Sequence, residues 1–154
     1  MAKRIDLTSR LIAASPSVVY AAFAEPEALA QWLSPQNMVA TMLHFDFQEG
    51  GSYRMRLTYQ DLEAGQGKTS DNADVVDVRL LKLVEGKRIE QAITFESDDP
   101  AFSGVMRMTW TFEPAEKGTL VTIRAEDVPW GIRPEDHEIG MNSSLDKLAL
   151  FLGS

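Results

Sequence analysis

The sequence predicts an α+β fold, in which an antiparallel sheet is covered on one face by a C-terminal helix. Three observations lead there. Residues 39–125 place apolar side chains at every second position in short segments separated by Gly- or Pro-containing turns. Two helix-start signals, Ser15-Pro16 and Glu25-Pro26, follow a first alternating segment. Residues 134–152, PEDHEIGMNSSLDKLALFL, abandon the period of two for helical spacing. The 154 residues suit one domain spanning 1–154, long enough to bury a sizeable core.

Taken in order, residues 4–12 (RIDLTSRLI) alternate loosely and read as a strand. Ser15 stands in the N-cap position with Pro16 at the first helical position, which predicts a short helix over residues 16–23. Glu25-Pro26 begins a second short helix, EALAQWL, ending near Ser34-Pro35. VATMLHFDF, a turn at Glu49-Gly50-Gly51, and SYRMRLTY form a hairpin with Tyr53, Met55, Leu57 and Tyr59 on its buried face. The glycine pair reads as a turn that needs positive φ.

The polar loop at residues 60–72 precedes DVVDVRLLKLV, whose facing is ambiguous because apolar residues fall on both parities. Glu85-Gly86-Lys87 turns that strand into RIEQAITFE. Asp98-Asp99-Pro100 breaks the chain before VMRMTWTFE, which puts Met106, Met108, Trp110 and Phe112 on one face. Lys117-Gly118 then leads into TLVTIRAE. Six antiparallel strands thus separate the two short helices from the longer terminal one.

Composition narrows the function classes. With 15 basic against 23 acidic residues the net charge is −8, and no segment concentrates Lys or Arg, so nucleic acid and anionic membrane surfaces are not expected partners. No apolar run of transmembrane length occurs, and Asp6 and Arg10 interrupt the N-terminal segment before a signal-type apolar stretch can form. A cytoplasmic location is the expectation. There is no cysteine, which excludes disulfides and thiolate chemistry.

The residues that carry a resemblance are the Ser15-Pro16 and Glu25-Pro26 helix starts with Trp32, Phe47-x-x-Gly50-Gly51-x-Tyr53-Arg54, the TWTFEP strand from Thr109, Gly118-Thr119, and the terminal SLDKL. Together they resemble the Bet v 1-like, START-like superfamily, in the branch named after the C-terminal domain of the activator of the Hsp90 ATPase. The resemblance implies a helix-grip fold, a curved antiparallel sheet of about seven strands around a long C-terminal helix, with a cavity between them. Its sheet-side lining would be Tyr53, Met55, Leu57, Ile93, Met106, Met108, Trp110 and Phe112, with Gln91 as a rare polar group and Trp32 added from the second short helix. Methionine supplies adaptable wall surface, which favours a pliable pocket over a filled core.

On the helix side, His137, Met141, Ser144, Leu145, Leu148 and Leu152 share one stripe at about 100° per residue. Glu135 and Asp136 read as first-turn charges favoured by the helix dipole. The neighbours Asp136, His137 and Glu138 cannot converge on one atom, and Met141 stands where a zinc-helix motif needs its second histidine, so neither a metal nor any other cofactor is expected. His137 continues the buried stripe to the cavity mouth, where it contacts a ligand, closes the mouth or bonds a loop carbonyl. Gly140 implies either the close approach of a strand or the Trp130 loop, or an opening for a ligand. Arg54 and Arg56 face away and pair with carboxylates on adjacent strands, while Ile139 and Leu150 project from the polar side, compatible with a monomer or a weak homodimer.

The leading expectation is therefore non-catalytic binding of a small, largely apolar molecule between sheet and helix, with Trp32, Tyr53, Met55, Leu57, Gln91, Ile93, Met106, Met108, Trp110, Phe112, His137, Met141, Leu145 and Leu148 as the lining. Two alternatives stand beside it. The resemblance also implies a co-regulator of an Hsp90-type chaperone ATPase. A cyclase- or hydrolase-like enzyme would use His137 or Tyr53 as acid or base in the same pocket.

Overall fold

Alternation and the helix-start prolines place the elements where the residue patterns put them. The computed structural model describes residues 4–34, 38–59 and 73–153; Pro35 and the loop expected at residues 60–72 lie outside them. The chain runs β1 (Ile5–Ile12), α1 (Pro16–Ala21), α2 (Pro26–Trp32), β2 (Met38–Phe45), β3 (Ser52–Tyr59), β4 (Ala73–Val84), β5 (Arg88–Phe95), β6 (Met106–Ala115), β7 (Gly118–Glu126) and α3 (Pro134–Phe151). The Ser15 hydroxyl accepts from the Val18 amide, and α1 stops two residues short of the expected Phe23. At Asp99-Pro100 the expected break is a 3₁₀ turn, Pro100–Phe102, capped by the Asp99 carboxylate on the Ala101 amide.

The seven strands form one sheet in the order β1-β7-β6-β5-β4-β3-β2, every pair antiparallel. β2 to β7 is a meander, and β1 returns to the free side of β7. The facing of β4 resolves through a bulge between Leu80 and Lys82: Val76, Val78 and Leu80 point to the core, then Leu83 takes up the inner side on the other parity. The bulge accounts for the parity of Leu83, while Val75 lies buried on the opposite parity ahead of it.

In the β2–β3 turn the two glycines have different tasks. Gly50 has φ +80, whereas a side chain at Gly51 would put its Cβ within 2.4 Å of the Asp46 carbonyl oxygen. Only the first needs positive φ; the second needs to have no Cβ. On the outer sheet face Arg54 bridges Asp77 on β4 and Glu96. No helix among the described residues is long and apolar enough to cross a membrane.

Beneath α1 and α2 the core is filled by edge-to-face aromatic contacts. The Phe23 ring meets Trp32, Trp110 and Phe112 at centroid distances of 4.8, 5.0 and 5.5 Å. The Trp32 indole N–H donates to the Ala22 carbonyl at 3.0 Å, which satisfies the one polar atom of a side chain with no exposed surface.

Candidate functional site

The two halves of α3 meet the sheet differently. In the C-terminal half Leu145, Leu148 and Ala149 are essentially fully buried and belong to the filled core. In the N-terminal half, residues 136–144, the helix stands away from β3–β6 and a cavity of about 350 Å³ lies between them. Ile132, in the loop before α3, and Leu33, just past α2, complete the wall. Gly131 is what lets that loop come close, because a Cβ there would fall 2.7 Å from the Ala101 side chain.

Ten of the fourteen residues expected to line a cavity do so: Tyr53, Met55, Leu57, Gln91, Ile93, Met106, Met108, Trp110, His137 and Met141. Trp32, Phe112, Leu145 and Leu148 do not, and their placement on the lining is corrected. Trp32 and Phe112 are locked in the aromatic cluster under the short helices, while Leu145 and Leu148 lie where the helix has already closed on the sheet. Periodicity assigns a face, but not the position along that face where two surfaces part. Five methionines, with Met38 joining Met55, Met106, Met108 and Met141, line the wall.

Residue patterns missed several polar members. Asp74, 3% exposed, lies on the inner face opposite Leu57, and Tyr59 and Asp136 share its end of the cavity. The signal was present, since Asp74 has the parity of Val76, Val78 and Leu80. Burial raises the Tyr59 phenol above its ordinary value, and the Asp74 and Asp136 carboxylates push it in the same direction. Asp136 is thus both a first-turn helix charge and a cavity residue.

Deeper in the wall, Tyr53 on β3 and Gln91 on β5 reach each other across β4, with the Gln91 amide nitrogen 3.3 Å from the Tyr53 hydroxyl. They are 3% and 2% exposed. Complete burial drives the Tyr53 phenol far up, and the hydrogen bond from Gln91 offsets only part of that. Burial therefore keeps Tyr53 a neutral hydroxyl at ordinary pH.

His137 borders the cavity, and its Nδ1 bonds a strand carboxylate where a loop carbonyl was one of the expected partners. Its Nδ1 lies 2.7 Å from Oδ2 of Asp6 on β1, the two side chains being 12% and 9% exposed, and Arg4 holds the same carboxylate in a two-pronged contact. The pairing repeats along the strand: the Thr8 hydroxyl donates to Asn142 at 2.6 Å, and Arg10 pairs with Asp146. Residues 6, 8 and 10 share one side of β1, so a polar row ties this edge strand to α3. The other side of α3 is tied to α2 by Ser144 on the Leu33 carbonyl and by Lys147 on Ser34.

Burial pushes the Asp6 carboxyl up, but hydrogen bonds from Arg4 and His137, with their charges, outweigh it and leave the group below its ordinary value. A depressed carboxyl adds stability that is present in full above the unfolded value of 3.8 and is lost as pH falls through the lower folded value. Asp6→Asn is accordingly expected to lower the Tm at neutral pH and to flatten the fall in Tm below about pH 4, read by circular dichroism melts across pH. An unchanged acid limb would deny Asp6 this role.

Close approach does not explain Gly140: a Cβ built there meets nothing within 4 Å. The glycine borders the cavity beside Ile139, which is 61% exposed and marks the mouth. Gly140→Ala is expected to stabilise the protein by about 0.5–1 kcal/mol through helix propensity alone, measured as a higher urea midpoint at unchanged m. A destabilised Ala variant would show that the site is more crowded than it looks.

The family model described as activator of Hsp90 ATPase homolog 1-like protein matches residues 13–153. No curated protein matches the chain. Among solved structures, protein CV1439 of Chromobacterium violaceum is 33% identical with a TM-score of 0.85, the match covering 97% of each chain. A solution structure from Arthrobacter aurescens is 19% identical, TM-score 0.79, covering 96% of this chain and 85% of the other. One from Staphylococcus epidermidis is 22% identical, TM-score 0.75, covering 99% and 91%. The last two show the shared helix-grip fold.

Proposed function

The chain belongs to the activator of Hsp90 ATPase homolog 1-like family, and from that premise we propose that it binds a small, largely apolar molecule in the cavity under α3 without converting it. One observation supports the reading most: about 350 Å³ of space walled mainly by Met, Ile, Val, Leu and aromatic side chains, within the range of small-molecule sites. An apolar ligand of that size would take the apolar wall out of water and gain dispersion contacts with it. The His137–Asp6 pair fits a binding role, because it anchors the helix that roofs the cavity.

Binding to the folded state alone raises stability by RT ln(1 + [L]/Kd), about 2.7 kcal/mol at a hundredfold excess over Kd. A panel of neutral apolar compounds of up to about three fused rings should therefore include members that raise the Tm in a concentration-dependent way, followed by differential scanning fluorimetry. A panel that leaves the Tm flat at saturating solubility would sink the proposal. The family description favours a second reading, stimulation of an Hsp90-type ATPase. A steady-state ATPase assay with the purified chaperone tests it, and no stimulation at saturating protein would end it.

A further inference from the structure

We propose that the ligand of this cavity is a neutral apolar molecule carrying a hydroxyl or carbonyl oxygen, and that Tyr53 and Gln91 read that oxygen. The inference rests on the binding reading above and narrows its ligand class. Tyr53 and Gln91 are buried side by side in the cavity wall, and one long hydrogen bond of 3.3 Å joins them. That bond does not use up their capacity. If the amide nitrogen donates, the phenol O–H and the amide carbonyl are left over; if the amide is turned, the N–H groups and the phenol lone pairs are left over. In both arrangements a donor and an acceptor remain on an otherwise apolar wall. A ligand oxygen that accepts, or a hydroxyl that also donates, completes the pair.

Charge at the site selects against acids. Asp74 and Asp136 both border the cavity, and among the described residues no Lys or Arg lines it. A carboxylate ligand would give up its water and meet the Asp74 and Asp136 carboxylates, while the imidazole of His137, the one group on the described lining that can carry positive charge, is already paired with Asp6. Burial keeps Tyr53 protonated, so the Tyr53–Gln91 pair presents its donor and acceptor without charge throughout the ordinary pH range.

Four naphthalenes substituted at the same ring carbon separate the outcomes, because they share size and stacking surface: methylnaphthalene, naphthol, acetonaphthone and naphthoate. Isothermal titration into the full chain is expected to give naphthol and acetonaphthone affinities roughly tenfold above methylnaphthalene, with naphthoate weakest. Tyr53→Phe and Gln91→Leu should each reduce that preference severalfold while retaining affinity for methylnaphthalene. The retained hydrocarbon binding shows that the cavity is intact, and either variant suffices if the other does not fold. Equal affinities for methylnaphthalene and the oxygenated probes would overturn the inference and leave the cavity reading standing. Naphthoate binding as tightly as acetonaphthone would also overturn it. If none of the four binds, both fall.

Discussion

Met108→Trp is expected to leave the fold as stable as before, or more so, and to weaken binding of any cavity ligand at least tenfold. Met108 lies on β6 facing the space under α3, and the larger indole would extend into that space. In a filled core such an enlargement forces off-rotamer side chains and costs about 1–3 kcal/mol. Where about 350 Å³ stands open, the added atoms find contacts and remove the volume a ligand would take. The matched control is Leu148→Trp, at a position with no exposed surface in the closed half of α3, where the ordinary overpacking cost is expected. Urea melts of both variants, with and without the best panel ligand, decide the matter. Equal destabilisation at the two positions would mean that the space does not persist in solution.

Trp32→Ala is expected to destabilise the protein by about 3–5 kcal/mol, with no specific effect on ligand selectivity. The indole packs edge-on against Phe23 and Trp110, at centroid distances of 4.8 and 5.7 Å, and caps the Ala22 carbonyl. Removing it leaves a void under the two short helices and an unmet buried acceptor. Chemical denaturation gives the magnitude, and the probe preferences of whatever folded fraction binds give the rest. A variant of near-normal stability with altered probe preference would return Trp32 to the cavity wall, where its residue pattern alone would put it.

The contrast between Trp32 and Trp110 shows how far residue patterns reach. Both are large aromatics on faces read as internal, yet only Trp110 borders the cavity. Asp74 shows a different limit, since its parity with Val76 and Val78 places it inside, but its neighbours Ala73 and Val75 are apolar on the other parity, and with the bulge at Leu80–Lys82 they hide the facing of β4. Histidine 137 shows a third: helical spacing turns it toward the sheet, but its partner Asp6 is 131 residues away and belongs to the strand that joins the sheet last in space, beside β7.

The residues alone determine the element order, the inner faces of β3 and β6 and the buried stripe of α3, because alternation and helical spacing are local consequences of backbone geometry. The helix starts at Pro16, Pro26 and Pro134 are local in the same way. The tertiary structure alone decides where the matched apolar faces meet and where they part. That depends on the strands' register, on the polar row from β1 to α3 and on the Ser144 and Lys147 ties to α2, which together hold the helix against the sheet at one end and off it at the other. Local pattern specifies which side chains turn inward, while the distance between the surfaces that carry them is set by contacts between residues far apart in the chain.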